Sequence, residues 1–211
     1  MIRLILVLSF GLSMMVASTG ARTETIEPDV LIKNIAQEVL TIVKQDKDIQ
    51  AGDKKKILAL VDAKVLPNFD FERMTKLAVG KGWRTASPEQ KKSLVTEFRN
   101  LLVRTYTNAF TRFRDQTVEV SPLKASAGAD EVTVKTRIVK VGTEPDSVDY
   151  EMEKTADGWK VFDLTVDGVS LVTNYRGTFS DQVQQSGIDG LIKTLVDKNS
   201  ANNLSNKAET K

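Results

Sequence analysis

The sequence predicts an α+β fold in which helices wrap a four-stranded antiparallel sheet around a large internal apolar cavity. Apolar residues recur three or four positions apart through residues 28–113, and they alternate with polar residues through residues 117–169. The apolar material exceeds what one helix layer on one sheet face requires. All of these elements fall in one predicted domain, residues 22–199.

Residues 1–21 have the order of a secretory signal peptide. Arg3 is followed by an apolar run over residues 4–16, and small residues precede a polar stretch. The run is too short to span a bilayer. We therefore expect cleavage after Ala21, with Ala17 as a minor alternative site, and an exported chain.

The composition excludes several classes of chemistry. Neither cysteine nor histidine occurs among the 211 residues, which rules out Cys/His zinc sites, Ser-His-Asp triads and Cys-His pairs. The 30 basic and 28 acidic residues give a net charge of +2, too even for a nucleic-acid-binding surface. We expect no metal and no cofactor, and only carboxylate, lysine and tyrosine chemistry stays open.

Three helices are predicted in the first part of the domain. The first covers residues 28–45, and the second covers residues 53–65 and ends before Pro67. The third covers residues 70–79, begins at an aspartate N-cap and breaks at the nearby glycines. The inward residues of the first helix are Leu31, Ile35, Val39 and Ile42.

The fourth helix has the clearest signals in the chain. Ser87 is placed as its N-cap, Pro88 as its first residue and Gln90 as the residue that closes a capping box. Its apolar residues span an arc of roughly 200°, about twice what one core surface needs, so we expect apolar contacts on two sides. These residues are Leu94, Val95, Phe98, Leu101, Leu102, Val103, Tyr106, Ala109, Phe110 and Phe113.

Four strands follow, over residues 117–122, 131–141, 147–155 and 159–169. Short turns between them predict consecutive hairpins with one buried face. Closing helices are predicted to end the domain over residues 177–199.

The last residues, 200–211, are polar and are predicted to be a disordered tail.

The apolar surplus has two interpretations, a protein core and a cavity for an apolar ligand. An acyl chain of about fifteen methylenes would gain roughly 12 kcal/mol by leaving water, so a dry pocket without reactive groups suffices to carry a lipid. The candidate pocket residues are Phe69, Phe71, Met74, Trp83, Leu94, Phe98, Leu102, Tyr106, Phe110, Val134, Ile138, Val148, Tyr150, Met152, Val161, Tyr175 and Phe179.

Four cations are candidates for a lipid headgroup or the pocket rim: Arg99, Lys81, Arg84 and Arg176. Arg99 falls inside the apolar arc of the fourth helix, where a charge must be paired or must reach water. It is therefore either a cation at the pocket mouth or a structural arginine paired with a carboxylate.

Asp163 is the main candidate for catalysis. It lies two residues from Val161 and Thr165 in the last predicted strand, so simple alternation places all three on one face. A carboxylate in a cone-shaped apolar pocket can act as a general base of an isomerase or dehydratase. A structural hydrogen-bonding role is the alternative.

Two blocks of the sequence resemble the MlaC family, also called the toluene-tolerance auxiliary component. They are LPNFDFERMTKLAVGKGW with SPEQKKSLVTEFRNLLVRTYTNAF, and WKVFDLTVDGVSLVTNYRGTFS, within a match from Ile26 to Asn199. The positions that carry the resemblance are Phe69, Phe71, Trp83, Phe98, Tyr106, Trp159, Asp163, Gly168, Ser170, Asn174, Tyr175, Arg176 and Phe179.

The resemblance implies a periplasmic phospholipid carrier of the Mla pathway with an NTF2-like or cystatin-like sheet. It implies two partners, an inner-membrane ABC transporter with an MCE-domain subunit and an outer-membrane lipoprotein–porin complex. Some related carriers are thought to handle hopanoids, so the lipid class stays open. The rival hypotheses are an NTF2-like enzyme that uses Asp163 and a periplasmic adaptor that binds peptide segments.

Overall fold

The computed structural model describes residues 26–107, 116–123 and 128–208, without the side chains of Thr107 and residues 202–208. The predicted signal peptide and the predicted pocket residue Phe110 lie outside the described residues. The described part has the α+β class that the sequence predicts.

A stretch of irregular helix follows the first three helices. Helix α1 is Pro28–Gln45, as predicted, and it is followed by α2 (Lys47–Ala51) and α3 (Lys54–Leu60). A π-helical turn (Val61–Val65) and a 3-10 turn (Leu66–Asn68) continue α3. The segment predicted as one helix over residues 53–65 is helical over residues 54–65, but its last turn is π-helical and not α-helical.

Local chemistry sets the bounds of these helices. The carboxylates of Asp46 and Asp53 each accept hydrogen bonds from two backbone amides, so they cap α2 and α3 separately. Gly52 ends α2 in the left-handed region at φ 93°. Pro67 has no amide hydrogen, so a regular α-helical ladder cannot continue through it.

Helix α4 (Phe71–Val79) has the predicted N-cap, because the Asp70 carboxylate accepts a hydrogen bond from the Arg73 amide at 2.8 Å. A 3-10 turn, Gly80–Arg84, follows it.

Helix α5 is Pro88–Thr107, and the predicted capping box is confirmed. The Gln90 amide donates to Ser87 Oγ at 3.2 Å, and the Ser87 amide donates to Gln90 Oε1 at 2.9 Å. The continuation of this helix predicted as far as residue 113 lies outside the described residues.

The sheet is an antiparallel meander of five strands in the order β1-β2-β3-β4-β5. The strands are β1 (Thr117–Val120), β2 (Glu131–Val139), β3 (Asp146–Thr155), β4 (Gly158–Val166) and β5 (Val169–Ser170). The sequence predicted four strands, because β5 was read as the end of the fourth. A tight turn at Asp167 (φ 47°) and Gly168 (φ 82°) folds β5 back onto β4.

Helix α6 (Leu171–Ala208) closes the domain and is interrupted at Gly187, whose φ of 70° and ψ of −174° are not helical. It begins before residue 177, where the closing helices were predicted to start, because two side chains cap its first turn. Asp163 Oδ1 accepts from the Val172 amide at 3.1 Å, and Ser170 Oγ accepts from the Thr173 amide at 3.0 Å.

The backbone of α6 is helical as far as Ala208, past the residue 200 at which the sequence predicted a disordered tail.

Three groups of buried apolar side chains form the core. The helical cluster joins α4, α5 and α6 and includes Met74, Ala78, Trp83, Leu94, Phe98, Leu102, Phe179, Leu191 and Leu195. The sheet cluster consists of Ile32, Val132, Val134, Met152, Trp159 and Val161. The N-terminal cluster consists of Val39, Val43, Ile49, Ile57, Leu60 and Val61.

Candidate functional site

Among the residues that the structure describes, two apolar chambers lie between the three clusters. The larger chamber, about 220 Å³, is lined by Ile32, Ile35, Ala36, Val39, Leu40, Val65, Asn68, Phe69, Tyr106, Val118, Ile138, Val148, Tyr150, Val161 and Leu164. The smaller chamber, about 160 Å³, is lined by Val61, Val65, Leu66, Phe69, Phe71, Met74, Leu102, Val103, Tyr106, Leu164, Val166 and Leu171. In the described part of the chain, the apolar space that the sequence predicted thus includes two neighbouring chambers that share lining residues.

Four residues line both chambers, and we call them the partition: Val65, Phe69, Tyr106 and Leu164. They come from the π-helical turn, the loop before α4, the end of α5 and strand β4. Phe69 is held by the backbone, since it forms a bridge with Val161 and the next amide, that of Asp70, donates to the Val161 carbonyl at 2.9 Å.

The strand register decides which sheet residues reach the chambers. Tyr150 pairs with Val134 on β2 and Leu164 on β4, and Val148 pairs with Thr136 and Val166, so these residues share the inward face. A β-bulge at Glu151/Met152 then shifts the alternation along β4.

The bulge separates Asp163 from the inward face. Val161 pairs with the buried Met152, whereas Asp163 pairs with Glu151, and neighbouring residues of β3 point to opposite faces. The prediction that Asp163 shares a face with Val161 is wrong for this reason.

The Asp163 carboxylate is already engaged by the backbone and a neighbouring side chain. It accepts hydrogen bonds from the amides of Leu164 at 2.8 Å and Val172 at 3.1 Å, and from the hydroxyl of Ser170. This arrangement ties β4 to the start of α6. It favours the structural role over that of a general base.

Two of the three polar residues that line the larger chamber are tyrosines. Burial raises the pKa of the Tyr150 phenol, against a hydrogen bond with Thr136 that acts in the opposite direction. Burial also raises the pKa of Tyr106, which is 37% exposed and lines both chambers. Asn68, the other polar lining residue, donates through Nδ2 to the carbonyl of Lys64 at 3.0 Å.

Comparison with known proteins identifies the family. The family model of the MlaC protein matches residues 33–197. The chain belongs to the MlaC family.

Two related proteins and one solved structure are similar to this MlaC-family chain over most of its length. It is 22% identical over 192 residues to the intermembrane phospholipid transport system binding protein MlaC of Haemophilus influenzae, covering 90% of this chain and 89% of the relative. It is 25% identical over 194 residues to the toluene tolerance protein ttg2D of Pseudomonas putida, covering 91% and 89%. A phospholipid-binding protein from Ralstonia solanacearum, solved in complex with a phospholipid, matches with a TM-score of 0.77 and 35% identity, covering 82% of this chain and 97% of that one.

Nine of the predicted pocket residues line a chamber in this MlaC-family structure. They are Phe69, Phe71, Met74, Leu102, Tyr106, Ile138, Val148, Tyr150 and Val161.

Seven predicted pocket residues pack instead in the core clusters. Trp83, Leu94, Phe98, Tyr175 and Phe179 belong to or pack against the helical cluster, because α5 lies on α6 and the ring of Phe98 meets Tyr175 and Phe179 edge-on at 5.1 Å. Val134 and Met152 belong to the sheet cluster, beneath the start of α1. In this structure these seven residues pack in the core and do not line either chamber.

Other lining residues were not predicted from the sequence, chiefly those of α1 and of the turns after α3. The inward stripe of α1 was recognised but not assigned to a cavity, although Ile35 and Val39 belong to it. Leu164 and Val166 were not predicted because the β-bulge turns them inward, and no feature of the sequence indicates the bulge. The missed residues are Ile32, Ile35, Ala36, Val39, Leu40, Val61, Val65, Leu66, Asn68, Val103, Val118, Leu164, Val166 and Leu171.

The four predicted rim cations do not converge on one site. Arg99 forms an ion pair with Asp62 at 2.6 Å and lies 6.0 Å from the ring of Phe71, beside the smaller chamber. Lys81 and Arg176 instead line a separate cleft of about 280 Å³ between the Gly80–Arg84 turn and α6. Arg84 is an exposed residue of that turn.

The described ranges contain no group of three or more acidic side chains placed to hold a metal ion. Within those same ranges, every helix is too short or too polar to cross a membrane.

Proposed function

We propose that this MlaC-family protein is a periplasmic carrier that binds glycerophospholipid by its acyl chains. It moves the lipid between the outer and inner membranes and so maintains the lipid asymmetry of the outer membrane. The observation that carries the proposal is the pair of apolar chambers between α1, α5 and the sheet. The phospholipid complex of the Ralstonia solanacearum relative, at 35% identity, supports it.

The protein shields the acyl chains of the lipid from water, and the mechanism involves no covalent step. Each methylene that enters a chamber gains about 0.8 kcal/mol, and the cost of ordering the chain reduces that gain. Few polar residues line the chambers. The side-chain amide of Asn68 already donates a hydrogen bond to the Lys64 carbonyl. The headgroup stays in contact with water near the exposed Tyr106, while the chains are held dry.

Loading and release require the interior to widen. A dry cavity of about 150 Å³ accommodates one benzene molecule, so the chambers in this structure hold only part of a long acyl chain. The membrane complexes would bias the protein between a narrow and a wide state. The proposed partners are an inner-membrane ABC transporter with an MCE-domain subunit and an outer-membrane lipoprotein–porin complex.

The proposal includes an exported chain without enzymatic activity. The position of Asp163 outside the inward face supports it, because a base at that position would not reach a ligand in the chambers. The signal-peptide pattern of residues 1–21 supports the periplasmic location.

The test is native mass spectrometry of protein purified without detergent. We expect the wild type to carry phospholipid. Ala36→Trp, which places a large apolar ring in the larger chamber, should lower the bound fraction several-fold. Ala59→Trp is the matched control, because Ala59 is an exposed residue of the neighbouring α3. Wild-type protein that is repeatedly lipid-free would overturn the proposal, as would equal occupancy in both variants.

A further inference from the structure

We infer that the partition sorts the two acyl chains of one phospholipid, so that each chamber takes one chain and the larger chamber takes the bulkier one. Phe69 and Tyr106 are then the residues that determine chain specificity. This inference rests on the proposed function. It adds a selection rule for the chain composition of the lipid.

The partition is a built feature of the fold. Its four residues come from four different elements and line both chambers. Phe69 cannot swing away with a flexible loop, because its backbone bridges to Val161 and the Asp70 amide donates to the same residue. Its ring also stacks on that of Phe71 at 5.8 Å, with an angle of 20° between the planes.

The two chambers differ in volume and in the residues that form their walls. The larger chamber, about 220 Å³, lies between the sheet and α1, where the small side chain of Ala36 leaves room. The smaller chamber, about 160 Å³, is bounded by α4 and α5 through Met74 and Leu102, which are 1% and 6% exposed. Buried side chains in close-packed surroundings resist displacement, so the smaller chamber widens less readily.

The two chains of a phospholipid can also differ in shape. A cis double bond bends an acyl chain and increases the width that it needs, whereas a saturated chain can lie straight. A lipid with one chain of each kind matches two unequal chambers. A lipid with two bent chains forces one of them against Met74 and Leu102. Overpacking of this kind is unfavourable even when every contact is apolar.

Tyr106 is the member of the partition that reaches solvent. Its ring lines both chambers, while the residue is 37% exposed, so an apolar surface faces the chains and the phenol can reach water. This position suits the point at which two chains diverge beneath a solvated headgroup.

The test is a competition between two phosphatidylglycerols, read by native mass spectrometry. One lipid has a saturated and a cis-unsaturated chain, and the other has two cis-unsaturated chains of the same length. We expect the wild type to prefer the mixed lipid by about tenfold, which corresponds to about 1.4 kcal/mol. Phe69→Ala, which removes the ring shared by the two chambers, should bind the two lipids equally, whatever the total amount of lipid bound.

Two further variants make the result decisive. Phe162→Ala removes the same side chain from a buried site outside both chambers, where the ring lies 3.6 Å below the Arg73 guanidinium, and it should keep the tenfold preference. Phe69→Leu keeps part of the partition and should give an intermediate ratio, which serves if Phe69→Ala does not fold.

The outcomes separate this inference from the proposed function. Wild-type protein that binds both lipids equally would overturn the sorting, as would a Phe69→Ala or Phe69→Leu variant with the full preference, but either result leaves the carrier proposal standing. Wild-type protein that binds neither lipid would overturn both.

Discussion

At the scale of single residues, Tyr150 links the chamber to the stability of the fold. It lines the larger chamber from the inward face of β3, between Val134 and Leu164 on the neighbouring strands. Burial raises the pKa of its phenol because a phenolate would lose its hydration there. The folded protein therefore holds this proton more tightly than the unfolded chain, whose tyrosines ionise near pH 10.

This shift predicts an alkaline limit to stability. The contribution of Tyr150 is complete below about pH 10 and is lost as the pH rises through the higher folded-state pKa. We expect the free energy of unfolding, measured by urea titration, to fall above about pH 10, and to fall less steeply in Tyr150→Phe. Tyr106 and Tyr175, whose pKa values burial also raises, maintain part of the slope. An unchanged slope in the variant would contradict this account.

At the scale of elements, hydrogen bonds at chain ends set several boundaries. The Ser87 and Gln90 box starts α5, the Asp70 carboxylate starts α4, and Asp163 with Ser170 starts α6. The first two could be predicted, since cap and helix are contiguous in sequence. The third could not, because Asp163 lies in a different strand and reaches α6 only through the β4–β5 turn.

The capping box gives a prediction for α5. Ser87→Ala removes the acceptor of the Gln90 amide and should lower the free energy of unfolding by about 1 kcal/mol. Ser93→Ala, the same change inside α5, is the control and should be neutral or slightly stabilising, since alanine favours helix interiors. Urea unfolding of the three proteins measures both effects. Equal losses in the two variants would show that the box contributes nothing.

The sheet shows where sequence periodicity stops being informative. Hairpin order, strand positions and the inward residues of β3 follow from alternation and turn signals. The bulge opposite Glu151/Met152 leaves one extra residue, Phe162, in β4, and it depends on how the two strands fit together and not on the alternation within β4. One inserted residue then reverses the faces of everything after it, which turned Leu164 inward and Asp163 outward.

At the scale of the whole molecule, the sequence predicts the fold class and the presence of apolar surplus, but not its distribution. Phe98 and Phe71 are equally apolar and both lie in family-like blocks, yet Phe98 packs against Tyr175 and Phe179 while Phe71 lines a chamber. The difference depends on which helices meet, and helix–helix contacts are set by tertiary packing. Composition alone cannot distinguish a core wall from a cavity wall.

The division of the interior likewise arises only when the chain is folded. Phe69 and Tyr106 are far apart in sequence and come from different elements, so no local pattern predicts that they line the same two chambers. The positions of the rim cations are also set only by the fold, since Arg99 forms an ion pair with Asp62 while Lys81 and Arg176 line another cleft.

The most direct test of the central claim is a crystal structure of the full mature protein loaded with a mixed-chain phosphatidylglycerol. The account predicts acyl-chain density in both chambers, one chain on each side of Phe69 and Tyr106, with the headgroup in solvent. Lipid density confined to the cleft of Lys81 and Arg176, with both chambers filled by protein side chains, would contradict it.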